Sequence, residues 1–138
     1  MFRSIVSGPM ASRTVDKFGS GQFNASRDGG SRRHQGLDIS ARAGEAVYSP
    51  ITGAIVREAI PYAPFTGILI RGTGEYAGYE VKLFYVQGLS CGSVRAGDQI
   101  GRVEDLKVKY PEITNHVHME VRRNGFLMNP FEVYAQCF

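Results

Sequence analysis

Only three histidines occur in the chain, His34, His116 and His118, and two of them form a His-x-His pair while the third opens the segment His34-Gln-Gly-Leu-Asp38. On an extended strand, residues two apart project from the same face with about 7 Å between their α-carbons. His116 and His118 therefore share one face. Gly36 disfavours a helical presentation of His34 and Asp38, and an extended segment would also turn both to one side. Two imidazoles and a carboxylate converging in this way suit Zn²⁺ or a similar divalent ion. Zn²⁺ binds nitrogen and carboxylate oxygen at about 2.0–2.2 Å, and a site with three protein ligands keeps one position open. A lone histidine on a strand is usually a packed or surface residue. Here both motifs are present and together they consume every histidine.

The elements that must carry these residues read as β-structure. The chain has 138 residues, 43% hydrophobic and 21% charged, which fits one domain with one core and leaves no room for a second. Seventeen Gly and six Pro, with eight Phe, seven Tyr and no Trp, indicate tight turns between short strands. Residues 1–33 show loop signals without sustained periodicity, and are expected to form an irregular N-terminal wrap of the same domain. The remainder, 34–138, is expected to be the metal-binding domain proper. It contains seven short apolar runs: GLDIS, AVYSP, GAIVREAI, GILIRGT, EVKLFYVQ, DQIGRVE and HVHMEVRRNG. EVKLFYVQ alternates imperfectly, with Val81, Leu83 and Tyr85 set against Lys82 and Phe84, as suits a central strand covered on both faces. VRAGDQIG reads as a hairpin or tight turn, LKVKYPEITN as a helical turn ending at Tyr110 before Pro111, and NPFEVYAQ as a short helical turn capped by Asn129.

The net charge of +3 comes from 16 basic and 13 acidic residues that are interspersed, which lacks the basic stripe of a nucleic-acid binder. No window approaches a transmembrane span, and MFRSIVSGPM contains no apolar run of signal-peptide length. Either the chain is not exported by the usual route or a signal has been trimmed. Cys91 and Cys137 allow at most one intramolecular disulfide.

His34-x3-Asp38, VYSPITGAIV, VRAGDQIG, His116-Val-His118 and the closing NGFLMNP together resemble the lysostaphin/LytM-type zinc endopeptidases that cut bacterial cell-wall cross-links. GSGQFNASR, RRHQGLDI, VKLFYV and YPEITNHVHME resemble more narrowly the leukocyte cell-derived chemotaxin-2 branch of that fold. The resemblance implies an all-β domain with a central antiparallel sheet, of the lysostaphin (duplicated hybrid motif-like) type. It implies that His34, Asp38 and His118 bind zinc and that His116 is a general base for water.

Active peptidases of the family also carry a histidine in a Tyr-x-His-Leu context that stabilises the oxyanion. The corresponding segment here is Phe84-Tyr85-Val86-Gln87, leaving Tyr85 as a substitute donor. Loss of one oxyanion donor typically costs about 100- to 1000-fold in turnover. The resemblance therefore implies a zinc-binding, catalytically impaired pseudoenzyme that acts by binding protein or cell-surface glycan or peptide ligands. The alternatives are a peptidoglycan endopeptidase and a structural subunit of a homo- or hetero-oligomeric assembly. It also implies secretion, against synthesis in a bacterial cytoplasm or incorporation in an assembly. The cysteine framework of the chemotaxin branch is not reproduced, since Ala41 or Arg42 stands near one expected cysteine and Glu80 near another.

Among other residues, Arg32 and Arg33 are candidates for the mouth of a groove, with a solvated basic loop as the alternative. Glu120 shares the strand face of the His pair and is a candidate to hold a ligand imidazole, with a surface carboxylate as the alternative. Tyr48, Tyr62, Tyr76, Tyr79 and Phe65 either rim the groove or fill the core.

Overall fold

A computed structural model describes residues 1–13, 21, 24, 26–27 and 32–134. It is all-β, with short 3-10 turns and no α-helix among the described residues. The strands are β1 (Ser26–Arg27), β2 (Arg32–Arg33), β3 (Leu37–Ser40), β4 (Ala46–Tyr48), β5 (Gly53–Glu58) and β6 (Gly67–Gly72). They continue as β7 (Tyr79–Phe84), β8 (Val86–Gly88), β9 (Gly92–Val94), β10 (Gln99–Val103), β11 (His116–Arg123) and β12 (Phe126–Met128).

A seven-stranded antiparallel sheet runs β12-β11-β7-β6-β5-β9, with β3 also paired to β11. A smaller sheet, β4-β10-β8, lies against it. Val47, Val86 and Ile100 of the small sheet share one buried cluster with Ile55, Ile68, Val81 and Val117 of the large one. The N-terminal residues Phe2, Ile5 and Val6 join the same cluster. Phe2 sets its ring edge against Tyr76, Tyr79 and Tyr134.

Period-two sorting along β11 explains how one strand serves both core and cleft. Val117, Met119 and Val121 are fully buried toward the core, while His116, His118 and Glu120 point to the opposite face. β3 repeats the arrangement, with Leu37 and Ile39 in the core and Asp38 on the other side. Register then pairs His118 directly with Asp38 on one flank and with Phe84 on the other. The strand pairing thus places the carboxylate and the imidazole side by side.

The structure sharpens two sequence expectations. EVKLFYVQ is central, as its pattern suggests, but it is two strands rather than one. Tyr85 adopts φ 69°, a left-handed conformation that L-residues rarely take, and breaks the run into β7 and β8 in different sheets. VRAGDQIG forms a tight turn, with the Arg95 N–H donating to Asp98 Oδ2 at 2.8 Å and Gly97 at φ 94°. It is not a hairpin, because β9 pairs with β5 whereas β10 pairs with β4 and β8. Among the described N-terminal residues, β1 and β2 pair, and Ser12 bridges to Ile39. The two expected helical turns are 3-10 turns at Leu106–Val108 and Pro130–Val133, the second capped by Asn129, whose side chain accepts from Phe131 N–H. Among the described residues no helix is long and apolar enough to cross a membrane.

Candidate metal centre

His34 Nε2, Asp38 Oδ1 and His118 Nδ1 meet at one point. The imidazole nitrogens are 2.9 Å apart, and the carboxylate oxygen lies 3.1 Å from His34 and 2.9 Å from His118. Tetrahedral ligands at about 2.0–2.2 Å from an ion are roughly 3.3–3.5 Å apart. The triangle needs to open by only a few tenths of an ångström to accept one. The residue types and their closeness mark a group that could hold a metal ion.

The second atoms of the candidate ligands support the same fit. His118 Nε2 faces Glu120 Oε2 at 2.9 Å, so the Nε2–H tautomer leaves the Nδ1 lone pair directed at the triangle. Glu120 in turn accepts from Arg122 through Oε1 at 3.1 Å. Asp38 Oδ2 accepts from Arg13 Nη1 at 2.6 Å, leaving Oδ1 toward the imidazoles. Metal ligands are characteristically oriented by such outer partners.

Gly36 makes this closeness feasible. A β-carbon there would lie 2.8 Å from His118 Nε2 and 2.9 Å from His118 Cε1, and closer still to the Met119 carbonyl oxygen. On the other flank, the Phe84 ring stacks on the His118 imidazole at 5.3 Å and 10°.

The ionisation states follow from these contacts. Burial disfavours charge on Asp38, but hydrogen bonds from His118 and His34 and the neighbouring imidazoles outweigh it and hold the carboxyl well below its usual range. Burial also opposes protonation of His118, yet Asp38 and Glu120 push its pKa up to about 9. In His116 burial prevails over the attraction of Asp38 and lowers the pKa, favouring neutral imidazole. Its Nδ1 lies 2.7 Å from the Thr114 carbonyl, so Nδ1–H donates there and the Nε2 lone pair faces Asp38 Oδ2 at 3.5 Å.

The centre lies in a cleft of about 1000 Å³. It is lined by Lys82, Phe84 and Arg122 from β7 and β11 and by Ile60, Tyr62 and Tyr110 from loops. Tyr85 lines it too, its ring edge-on to His116 at 5.4 Å, while its hydroxyl donates to Tyr62 Oη at 3.4 Å. Of the aromatics considered for a rim, Tyr62 lines the cleft, whereas Tyr76 and Phe65 are buried in apolar clusters. The side chains of Arg32 and Arg33 lie outside the described residues, as does Cys137; Cys91 is exposed.

Arg13 and Tyr110 were not evident as cleft residues from sequence. Arg13 sits in a segment without periodicity, and no local pattern marks its contact with Asp38. Tyr110 precedes Pro111, which signals a turn but not a cleft wall.

Comparison with known proteins gives a consistent assignment. The family model described as peptidase family M23 matches residues 32–130. Leukocyte cell-derived chemotaxin-2 of Mus musculus is 36% identical over 109 residues, covering 78% of this chain and 71% of the relative. Myeloid protein 1 of Gallus gallus is 31% identical over 110 residues, covering 78% of this chain and 34% of the relative.

Among solved structures, Helicobacter pylori Csd3 superposes with a TM-score of 0.67 at 17% identity, over 97% of this chain and 36% of that one. Lysostaphin gives 0.64 at 16% identity, over 87% and 52%. The SpoIIIAH and SpoIIQ complex gives 0.62 at 15% identity, over 91% and 100% of the matched chain. At these identities the structural matches establish the fold. The chain spans about a third to a half of the Csd3 and lysostaphin chains.

Proposed function

The chain belongs to peptidase family M23 as a chemotaxin-2-like member, and from that premise we propose that it is a zinc-binding, catalytically impaired protein that acts by binding a protein or cell-surface ligand. His34, Asp38 and His118 would hold the metal. Zn²⁺ in this N₂O donor set would supply Lewis-acid polarisation and tie the segment before β3 to β11.

The observation that carries impairment is the strand from which the family resemblance implies a further imidazole. Here Phe84 lies flat on His118, Val86 is fully buried in the core and Tyr85 gives its hydroxyl to Tyr62. With three histidines in the chain, no imidazole remains for an oxyanion. The absence of one such donor costs about 100- to 1000-fold, which favours a binding role for the cleft. An extracellular setting accords with the chemotaxin relationship.

A second reading is peptidoglycan endopeptidase activity, and His116 is the residue that favours it. A neutral imidazole with Nδ1–H fixed on Thr114 and Nε2 turned to Asp38 suits a general base. The fold shared with the SpoIIIAH and SpoIIQ complex supports protein partnering. His118→Ala tests the metal assignment: stoichiometric zinc and its thermal stabilisation should both be lost. Unchanged zinc content in that variant would overturn it.

A further inference from the structure

Arg13 lies in no strand, yet it is almost completely buried beside the metal centre. Residues 11–13 run along the free edge of β3: Ser12 bridges to Ile39, the Ser40 N–H donates to the Ala11 carbonyl at 2.8 Å, and the Arg13 N–H donates to the Asp38 carbonyl at 2.7 Å. From that edge the guanidinium reaches Asp38 Oδ2 at 2.6 Å, and both side chains are 3% exposed. Gly21 closes the arrangement. Its carbonyl accepts from the Asp38 N–H at 2.8 Å, and a β-carbon there would lie 2.7 Å from Arg13 Cβ and 3.0 Å from Asp38 Cβ.

A carboxylate can bind a metal through one oxygen or two, and a free carboxylate rotates between them. With Oδ2 taken by Arg13, Oδ1 alone faces His34 and His118. A buried guanidinium is costly unless paired, so this pairing is expected to be persistent. Its positive charge also opposes a divalent ion nearby, and that repulsion by itself would make the residue a liability for metal affinity. A positioning role and a purely repulsive one therefore predict opposite effects of removal.

We infer that Arg13 is a positioning residue of the metal centre, restraining Asp38 so that it offers a single oxygen and making the 11–13 edge segment part of the site. The inference rests on the metal reading proposed above. Outer-sphere partners of this kind are typically worth about 10- to 100-fold in metal affinity.

The test uses the full chain loaded with Co²⁺, whose visible absorption weakens as coordination number rises. Arg13→Ala should bind Co²⁺ about 10- to 100-fold more weakly and show a less intense spectrum, while Arg13→Lys should recover part of both. Phe2→Ala separates positioning from stability. Phe2 packs in the core, so its truncation should lower the melting temperature and leave cobalt affinity and spectrum unaltered. Tighter or unchanged binding in Arg13→Ala would overturn the inference, as would an equal loss of affinity in Phe2→Ala. Wild-type protein that binds no Co²⁺ would instead overturn the metal reading and the inference with it.

Discussion

Gly36→Ala is the substitution for which the structure gives the most definite magnitude. The added methyl would lie 2.8 Å from His118 Nε2, where ordinary contact begins near 3.4 Å. The imidazole or the segment before β3 must therefore move by about 0.6 Å, against a tolerance of about 0.2 Å in a well-formed metal site. Zinc affinity should fall about 10- to 100-fold. The Met119 carbonyl is closer still, so the strand must also yield, and forced repacking of this type costs about 1–3 kcal/mol. For a chain of this length about 1 kcal/mol corresponds to roughly 3–4 °C in melting temperature.

Gly44→Ala is the matched control. Gly44 has φ 84° with nothing within 4 Å of a built β-carbon, so the change costs about 1–2 kcal/mol of backbone strain without a steric contact. Competition with a chelator and thermal unfolding of metal-free protein would be measured on both variants. Both should melt lower, and only Gly36→Ala should lose zinc affinity. Equal zinc affinities in the two variants would refute the argument that Gly36 is required by the closeness of the ligand.

Two other outcomes follow from named contacts. In metal-free protein His118 has a pKa of about 9, above the usual histidine value, so at pH 7 it carries a proton that metal must displace. Calorimetry at pH 7 in buffers of different ionisation enthalpy should detect about one proton released per zinc, with none indicating that Nδ1 is not a ligand. Asn115 accepts from the Leu106 N–H at 2.8 Å and donates to the Ala41 and Glu104 carbonyls, each at 3.0 Å. Asn115→Ala should lower stability by about 2–3 kcal/mol in denaturant titration; a loss below about 0.5 kcal/mol would show that water replaces these bonds.

The candidate metal-binding group was legible because strand periodicity is local information. His116, His118 and Glu120 recur at every second position, and Leu37-Asp38-Ile39 shows the same alternation of apolar and polar residues. The partner of Glu120 could be anticipated on that basis. Of the cleft walls only Tyr62 was among the rim candidates, because Tyr110 reaches the cleft from a loop and Arg13 from a segment without periodicity. Tyr85 illustrates a tertiary override. Tyrosine favours strands and seldom takes positive φ, yet here its ring lies against His116, Phe65 and Tyr62 where a continuous strand would place it on the core face. β9 and β12 are three residues each, too short to show a pattern.

The central claim, a metal centre retained without effective hydrolysis, is tested most directly on zinc-loaded protein whose metal content has been measured. Incubated with purified bacterial cell wall, it should release no cross-link peptide above the metal-free control. Peptide release that is abolished in His116→Ala would contradict the account and establish the chain as an endopeptidase.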